Sequence, residues 1–214
     1  MPQQQKDHVR EAILGAARRR FAERGVKGAA LATIAADAGT SIGNLYKYFT
    51  DKEELFAAAV PPALVGQLRG LLREQVEALG VEREVDTLAP DHPYWEAAAR
   101  TRAFSIAHRH ELLLLLRHAA GTVYASFPGD VVADLSRLAA NYVRRAYPEF
   151  TLTAARGRAL RRIYRAYVGS IADILADERS PRALGEATRW LGTYHLAGLR
   201  AFFAAAAGGA ARRE

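Results

Sequence analysis

The sequence predicts an all-α protein: an N-terminal three-helix domain over residues 1–52 and a larger helical bundle over 53–214. Three observations predict it. Apolar residues recur at three- and four-residue steps along most of the chain, the spacing that puts them on one face of a helix. No segment alternates apolar and polar residues as a half-buried strand does, and there is no internal repeat. The stretch Leu31 to Phe49, LATIAADAGTSIGNLYKYF, reads as two short helices joined by a tight turn.

The first helix spans 7–24. Val9, Ile13, Leu14, Ala17 and Phe21 form one apolar stripe, and Gly25 ends it. Arg18, Arg19, Arg20 and Arg24 crowd its last turns, where cations suit the helix dipole. One or two of them could reach a phosphate. The second helix, Leu31 to Ala38, stops at Gly39, since glycine takes the left-handed backbone of a helix end at little cost. Ser41 caps the third helix, Ile42 to Phe49, whose Leu45 and Phe49 lie four apart on the buried side. Such a helix held across its predecessor is the arrangement that enters a DNA major groove.

Thr50 and Asp51 cap the start of a long helix to Gly80, with Glu53 and Glu54 three residues after each, at capping-box spacing. Pro61-Pro62 interrupts that helix. Residues 81–92 read as a loop. Helices follow over Tyr94–His108, Arg109–Ala119 and Val131–Tyr147, with a turn region over Gly121–Gly129. Thr151 and Thr153 are alternative caps for a long helix ending at Ala176. Ser180-Pro181 opens the last helix, 181–207, and the tail Gly208–Glu214 is expected to fray.

Composition bounds the function. At 214 residues, half of them hydrophobic, the chain can bury a core and is not globally disordered. It has no cysteine, which excludes disulfides, thiolate metal sites and a cysteine nucleophile, and is compatible with a reducing cytoplasm. The N-terminus lacks an apolar signal core, and the plain apolar run Leu112–Leu116 is too short to span a bilayer. A cytoplasmic protein without membrane attachment is expected. The net charge of +7 leans toward the N-terminus: residues 1–52 hold nine Lys or Arg against five Asp or Glu, and all four lysines. That is where an electrostatic footprint for phosphates would lie.

The stretch from Arg10 to Leu55 resembles the DNA-binding domain of the tetracycline-repressor (TetR) family. The residues that carry the resemblance are Ile13-Leu14, Ala17, Phe21, Glu23-Arg24-Gly25, Ile34-Ala35, Ala38-Gly39, Ser41, Gly43-Asn44-Leu45-Tyr46, Tyr48-Phe49 and Lys52-Glu53-Glu54-Leu55. Their order and spacing match without a gap. The resemblance implies a transcriptional regulator, most simply a repressor, that binds double-stranded DNA at a pseudo-palindromic operator. It also implies a variable all-helical domain beyond Leu55 for ligand binding and dimerisation. Two positions depart from the family's pattern. Ala29 and Ala30 stand where many members carry a capping, phosphate-touching Thr or Ser, and Ile42 stands where many carry a basic or polar residue.

On this reading Ile42, Gly43 and Lys47 are the base readers: Lys47 can donate to guanine, and Ile42 can contact a thymine methyl. Ser41, Asn44, Tyr46, Tyr48 and Lys52 hold phosphates, as the resemblance implies. Tyr46 has a second reading, in which its ring packs in the small domain's core. Homodimerisation is expected through the helices 153–176 and 181–207, where Ala166, Gly169, Ser170, Gly192 and Gly198 would allow close approach.

About 150 residues follow the DNA-reading segment, more than DNA binding needs. Several of their helices carry polar aromatics where leucine would pack as well: Tyr94, Trp95, Phe104, His108, Tyr124, Tyr142, Tyr164 and Tyr167. They are the candidate lining of a small-molecule site between the helices 94–108, 131–147 and 153–176, for a hydrophobic or aromatic effector. Arg100 and Arg102 suit an anionic ligand. No cofactor is expected, and no enzyme constellation stands out: neither a glycine-rich phosphate loop after a strand nor a nucleophile elbow. His108, His110, His118 and Glu111 invite a metal reading, but two histidines two apart on a helix point in different directions. An α-helical binder or enzyme with an incidental N-terminal motif, and a plain protein–protein module, are the rival classes.

Overall fold

The computed structural model describes residues 3–208; among them the apolar periodicity becomes ten helices and no strand. The tail residues 209–214 lie outside the described residues. In order the helices are α1 (Gln3–Gly28), α2 (Leu31–Asp37), α3 (Ile42–Leu45), α4 (Lys52–Ala59), α5 (Pro62–Glu77), α6 (Pro93–Ala107), α7 (Arg109–Arg117), α8 (Phe127–Ala146), α9 (Ala154–Asp177) and α10 (Pro181–Gly208). They gather into two compact units. One runs to Val65 and takes in His108–Phe127; the other is Gly66–Ala107 and the chain from Pro128 onward.

In the first unit α1 buries the stripe read from its sequence: Ile13, Leu14, Ala17 and Phe21 are closed to solvent. Ile34, Ala35, Leu45, Phe49 and Leu55 complete that core. Gly25 has φ 69° and breaks α1, and a last turn follows it to Gly28. Phe56 meets the edge of Phe21 at 6.2 Å between centroids. Arg18 donates from Nε to the carbonyl of Ala59 at 3.2 Å and pairs with Glu111 at 3.3 Å, so the buried carboxylate of α7 has its cation from α1. A buried charge left without such a partner costs several kcal/mol, on the order of 3–5.

The expected long helix after residue 51 is two helices, parted at Val60-Pro61, because a proline ring cannot donate its backbone bond. By length and composition Lys52–Glu77 passes for a membrane span. Yet its break and the burial of Leu55, Phe56, Ala59, Val60 and Leu64 inside the protein make it core.

Helix α8 starts at Phe127, four residues before the start read from sequence. Pro128 sits in its first turn, where no intrahelical donor is required. Tyr142, Tyr147 and Phe150 pack with Phe203 of α10, and Val143 is buried. The 81–92 loop is fastened to this core. Tyr142 donates to the carbonyl of Glu82, Tyr147 to that of Arg83 at 2.9 Å, and Arg200 holds Asp86 at 3.1 Å.

Candidate functional site

The turn between α2 and α3 is built from few residues. Gly39 has φ 67°, and Thr40 donates its N–H back to Ala35 at 2.9 Å, closing the end of α2. Ser41 is extended (φ −86°, ψ 155°), and its hydroxyl accepts the N–H of Asn44 at 3.1 Å. The Asn44 amide donates to Thr40 Oγ1 at 2.8 Å and locks the turn from the other side. Regular α-helix then lasts only from Ile42 to Leu45, shorter than the expected Ile42–Phe49. Lys47 and Tyr48 donate to Asn44 and Leu45, three residues back, so the chain tightens into a turn before Phe49.

Leu45 and Phe49 anchor the inner side of this segment, and Arg10 lies over the Phe49 ring at 5.5 Å. Ser41, Ile42, Gly43, Tyr46 and Lys47 face solvent, while Asn44, Tyr48 and Lys52 are half-buried. Tyr46 is 50% exposed, which separates its two readings: the ring does not pack in the core. Lys52 donates from Nζ to the carbonyl of Lys27 at 3.4 Å, a cation at the end of α1. Arg20 clamps α2 to α1 through Asp37, with Nη2 to Oδ1 at 3.0 Å. The guanidinium holds the Asp37 carboxyl below its ordinary range. Arg18 and Arg20 are thus engaged inside this unit and are not spare cations.

The second unit contains a cavity of about 180 Å³ between α6, α9 and α10, with Gln75 of α5 at its edge. Tyr94, Trp95, Thr101, Arg102 and Ser105 line it from α6. Tyr167 and Ile171 come from α9, and Thr188, Arg189 and Leu196 from α10. Gln75 donates to the Tyr94 hydroxyl at 3.0 Å, and the Trp95 indole N–H donates to the carbonyl of Ala89 at 3.0 Å. Tyr167 stacks on His195 at 4.0 Å, and Tyr164 meets that imidazole edge-on at 5.1 Å. Burial lowers the His195 pKa to about 4, so the ring is neutral near pH 7. Burial likewise raises the phenols of Tyr94, Tyr164 and Tyr167.

Of the eight polar aromatics singled out in the sequence, Tyr94, Trp95 and Tyr167 come together at the cavity. The other five do not line it. Tyr164 is buried behind it against His195, and Phe104 lies half-buried on α6. Tyr142 is spent on the carbonyl of Glu82. His108 and Tyr124 belong to the first unit, where His108 faces Glu111 at 3.5 Å and Tyr124 donates to the carbonyl of Val60 at 3.2 Å. The expected third wall, helix 131–147, supplies nothing; α10 takes its place, because α8 turns its aromatics into the core with Phe203. Arg100 is paired with Glu96 at 2.8 Å and Glu74 at 3.3 Å, whereas Arg102 faces the cavity. Sequence reasoning missed Arg189, Thr188 and Thr193 of α10. Their spacing of one and five residues reads as an exposed helix face, and only the position of α6 turns it into a wall.

Comparison with known proteins bears on the first unit most directly. Residues 13–59 match the family model described as bacterial regulatory proteins, tetR family. A TetR-like transcriptional regulator from Rhodococcus sp. RHA1 is 26% identical, with 89% of this chain and 96% of that one covered and a TM-score of 0.51. A protein assigned to the TetR family from Mesorhizobium loti is 19% identical, with the same two coverages and a TM-score of 0.45. No curated protein matches the chain. Residues 13–59 thus carry the helix-turn-helix of the tetR family of bacterial regulatory proteins, and the all-helical fold around it is similar to that of a TetR-like transcriptional regulator.

Proposed function

We propose that this regulator is a cytoplasmic homodimeric repressor, released from a pseudo-palindromic operator when a small hydrophobic or aromatic effector enters the α6–α9–α10 cavity. In this reading residues 1–52 read DNA and 53–214 carry the effector and dimer surfaces. The observation that carries it is the sidedness of the Ser41–Phe49 segment: Leu45 and Phe49 are buried, while Ile42, Gly43 and Lys47 stand in solvent. Those three are the base readers. Gly43 has nothing within 4 Å of where a Cβ would stand, so its backbone can come close to a base. Ser41, Asn44, Tyr46, Tyr48 and Lys52 hold phosphates and fix register. Ile42 offers only an apolar contact, suited to a thymine methyl.

A single segment of this length reads few base pairs, so two copies on a two-fold site are needed for specificity. Trp190 and Tyr194 of α10 are exposed at 64% and 78%, four residues apart on one face. Large aromatics left in water in this way mark a surface that associates, and they support pairing of α9 and α10 with their symmetry mates. The exposed Ala166, Gly169 and Gly198 lie on the same two helices.

Release is a population shift. The effector can weaken DNA binding only by its difference in affinity between the two forms, and about 1.4 kcal/mol of difference corresponds to a tenfold loss. The test starts from DNA fragments selected by the purified protein. Lys47→Ala relaxes preference at one or two base pairs. Lys52→Ala weakens all sequences alike and reduces the salt slope by about one. Unchanged binding in both variants would remove the α3 segment from the groove.

A further inference from the structure

We infer that the α6–α9–α10 cavity takes an aromatic carboxylate of one or two rings, its ring between the aromatic and aliphatic walls and its carboxylate on Arg102 and Arg189. The inference rests on the reading of this cavity as the effector site and adds the charge and shape of the ligand.

The lining contains two charged side chains, and both are arginines. No aspartate or glutamate lines the cavity, and neither arginine has a carboxylate partner among the described residues. Several other arginines of this unit are paired with acids. Arg100, two residues away on the same helix, is neutralised twice, by Glu96 and Glu74. Arg69, Arg83 and Arg200 each hold an acid as well. Arg102 is half-buried, where a cation without a counter-ion is costly and a desolvated anion is bound most strongly.

Most of the aliphatic hydroxyls of the lining are already spent as donors. Thr101 donates to Ala97, Ser105 to Thr101, Thr188 to Leu184 and Thr193 to Arg189, each hydroxyl proton being used on its own helix. The Trp95 N–H is used on Ala89. An anion entering here meets the guanidinium groups of half-buried Arg102 and exposed Arg189, whose planar forks match a carboxylate, beside the hydroxyls of Tyr94 and Tyr167.

The remainder of the lining suits a flat ring. Tyr94 and Trp95 meet edge to face at 5.2 Å, and Tyr167 is held in place by its stack on His195. Ile171 and Leu196 supply the aliphatic side. A volume of about 180 Å³ has room for one or two rings.

The experiment is calorimetric titration of the full-length chain with 2-naphthoate, neutral 2-naphthamide and cationic 2-naphthylmethylamine, each repeated with Arg102→Gln and Arg102→Lys. Naphthoate is expected to bind the natural sequence at least about tenfold tighter than naphthamide, about 1.4 kcal/mol. Arg102→Gln is expected to abolish that preference while leaving naphthamide affinity unchanged, and Arg102→Lys to restore part of it. Equal binding of acid and amide, a preference that survives Arg102→Gln, or no binding of naphthoate at millimolar concentration overturns the inference. The DNA-binding assay separates it from the regulatory reading. A naphthoate held through Arg102 that leaves operator affinity unchanged keeps the ligand class and sinks the cavity as a switch. An amide that binds as tightly and releases DNA does the reverse.

Discussion

At the scale of single residues, His195 shows how packing sets chemistry. Its Nε2 is buried without a hydrogen-bond partner among the described residues, and its ring lies between two tyrosines. Desolvation lowers its pKa from 6.5 to about 4. The folded protein therefore refuses a proton that the unfolded chain accepts below pH 6.5, and stability falls as pH drops from 6.5 toward 4. Between pH 7 and pH 5 the cost is about 1–2 kcal/mol. His195→Leu removes the proton uptake and keeps an apolar ring contact for Tyr167. Denaturant titrations at the two pH values should show a smaller loss in the variant than in the natural sequence. Equal losses would mean that this imidazole titrates as an ordinary one. None of this was readable in the sequence, where His195 sits in a helical run with nothing to signal the tyrosines of α9 facing it.

At the scale of elements, the helix starts differ in how they are capped. Asp51 accepts the N–H of Glu54 at 2.8 Å, and the Glu54 carboxylate accepts the Thr50 N–H at 2.7 Å, so both residues take part in the cap. Thr153, not Thr151, caps α9 by accepting from Arg156. Ser180 accepts from Ala183 at the start of α10. Helix α2 has none of this: Ala30 is exposed and extended (φ −83°, ψ 132°), with no side-chain cap. Ala30→Ser should add a bond to the free N–H groups and stabilise the first unit by about 1 kcal/mol, whereas Asp51→Ala should cost about the same. Thermal melts check both, and an unchanged midpoint for Ala30→Ser would show that α2 is held by Arg20–Asp37 and its buried Ile34 alone. A serine at Ala29 would do harm instead, since that position is buried. Caps were legible as residue types at given spacings. Which of two adjacent threonines caps, and that α3 shortens to Ile42–Leu45, depended on backbone geometry that spacing does not carry.

At the scale of the molecule, helix order was legible because each apolar stripe is a local signal repeated over several turns, and only the interruption at Pro61-Pro62 became a full break between two helices. The walls of the cavity were legible only in part, because α6, α9 and α10 are separated by dozens of residues and nothing local states which faces meet. Tyr94 and Tyr167 could be named from their helices, but Arg189 could not. Assembly is the remaining large-scale property. If α10 pairs with its mate through Trp190 and Tyr194, then Trp190→Glu buries a charge at the centre of that surface and should yield monomers at micromolar concentration in sedimentation velocity, with DNA affinity falling accordingly. An unchanged sedimentation coefficient would move the dimer surface elsewhere. The same exposed indole has an optical consequence. The chain has two tryptophans, one at the cavity wall and one on the outer face of α10. In a Trp190-substituted protein, all indole emission comes from Trp95, whose N–H is tied to the carbonyl of Ala89. Near-ultraviolet fluorescence then follows what happens inside the cavity, without interference from subunits meeting or parting.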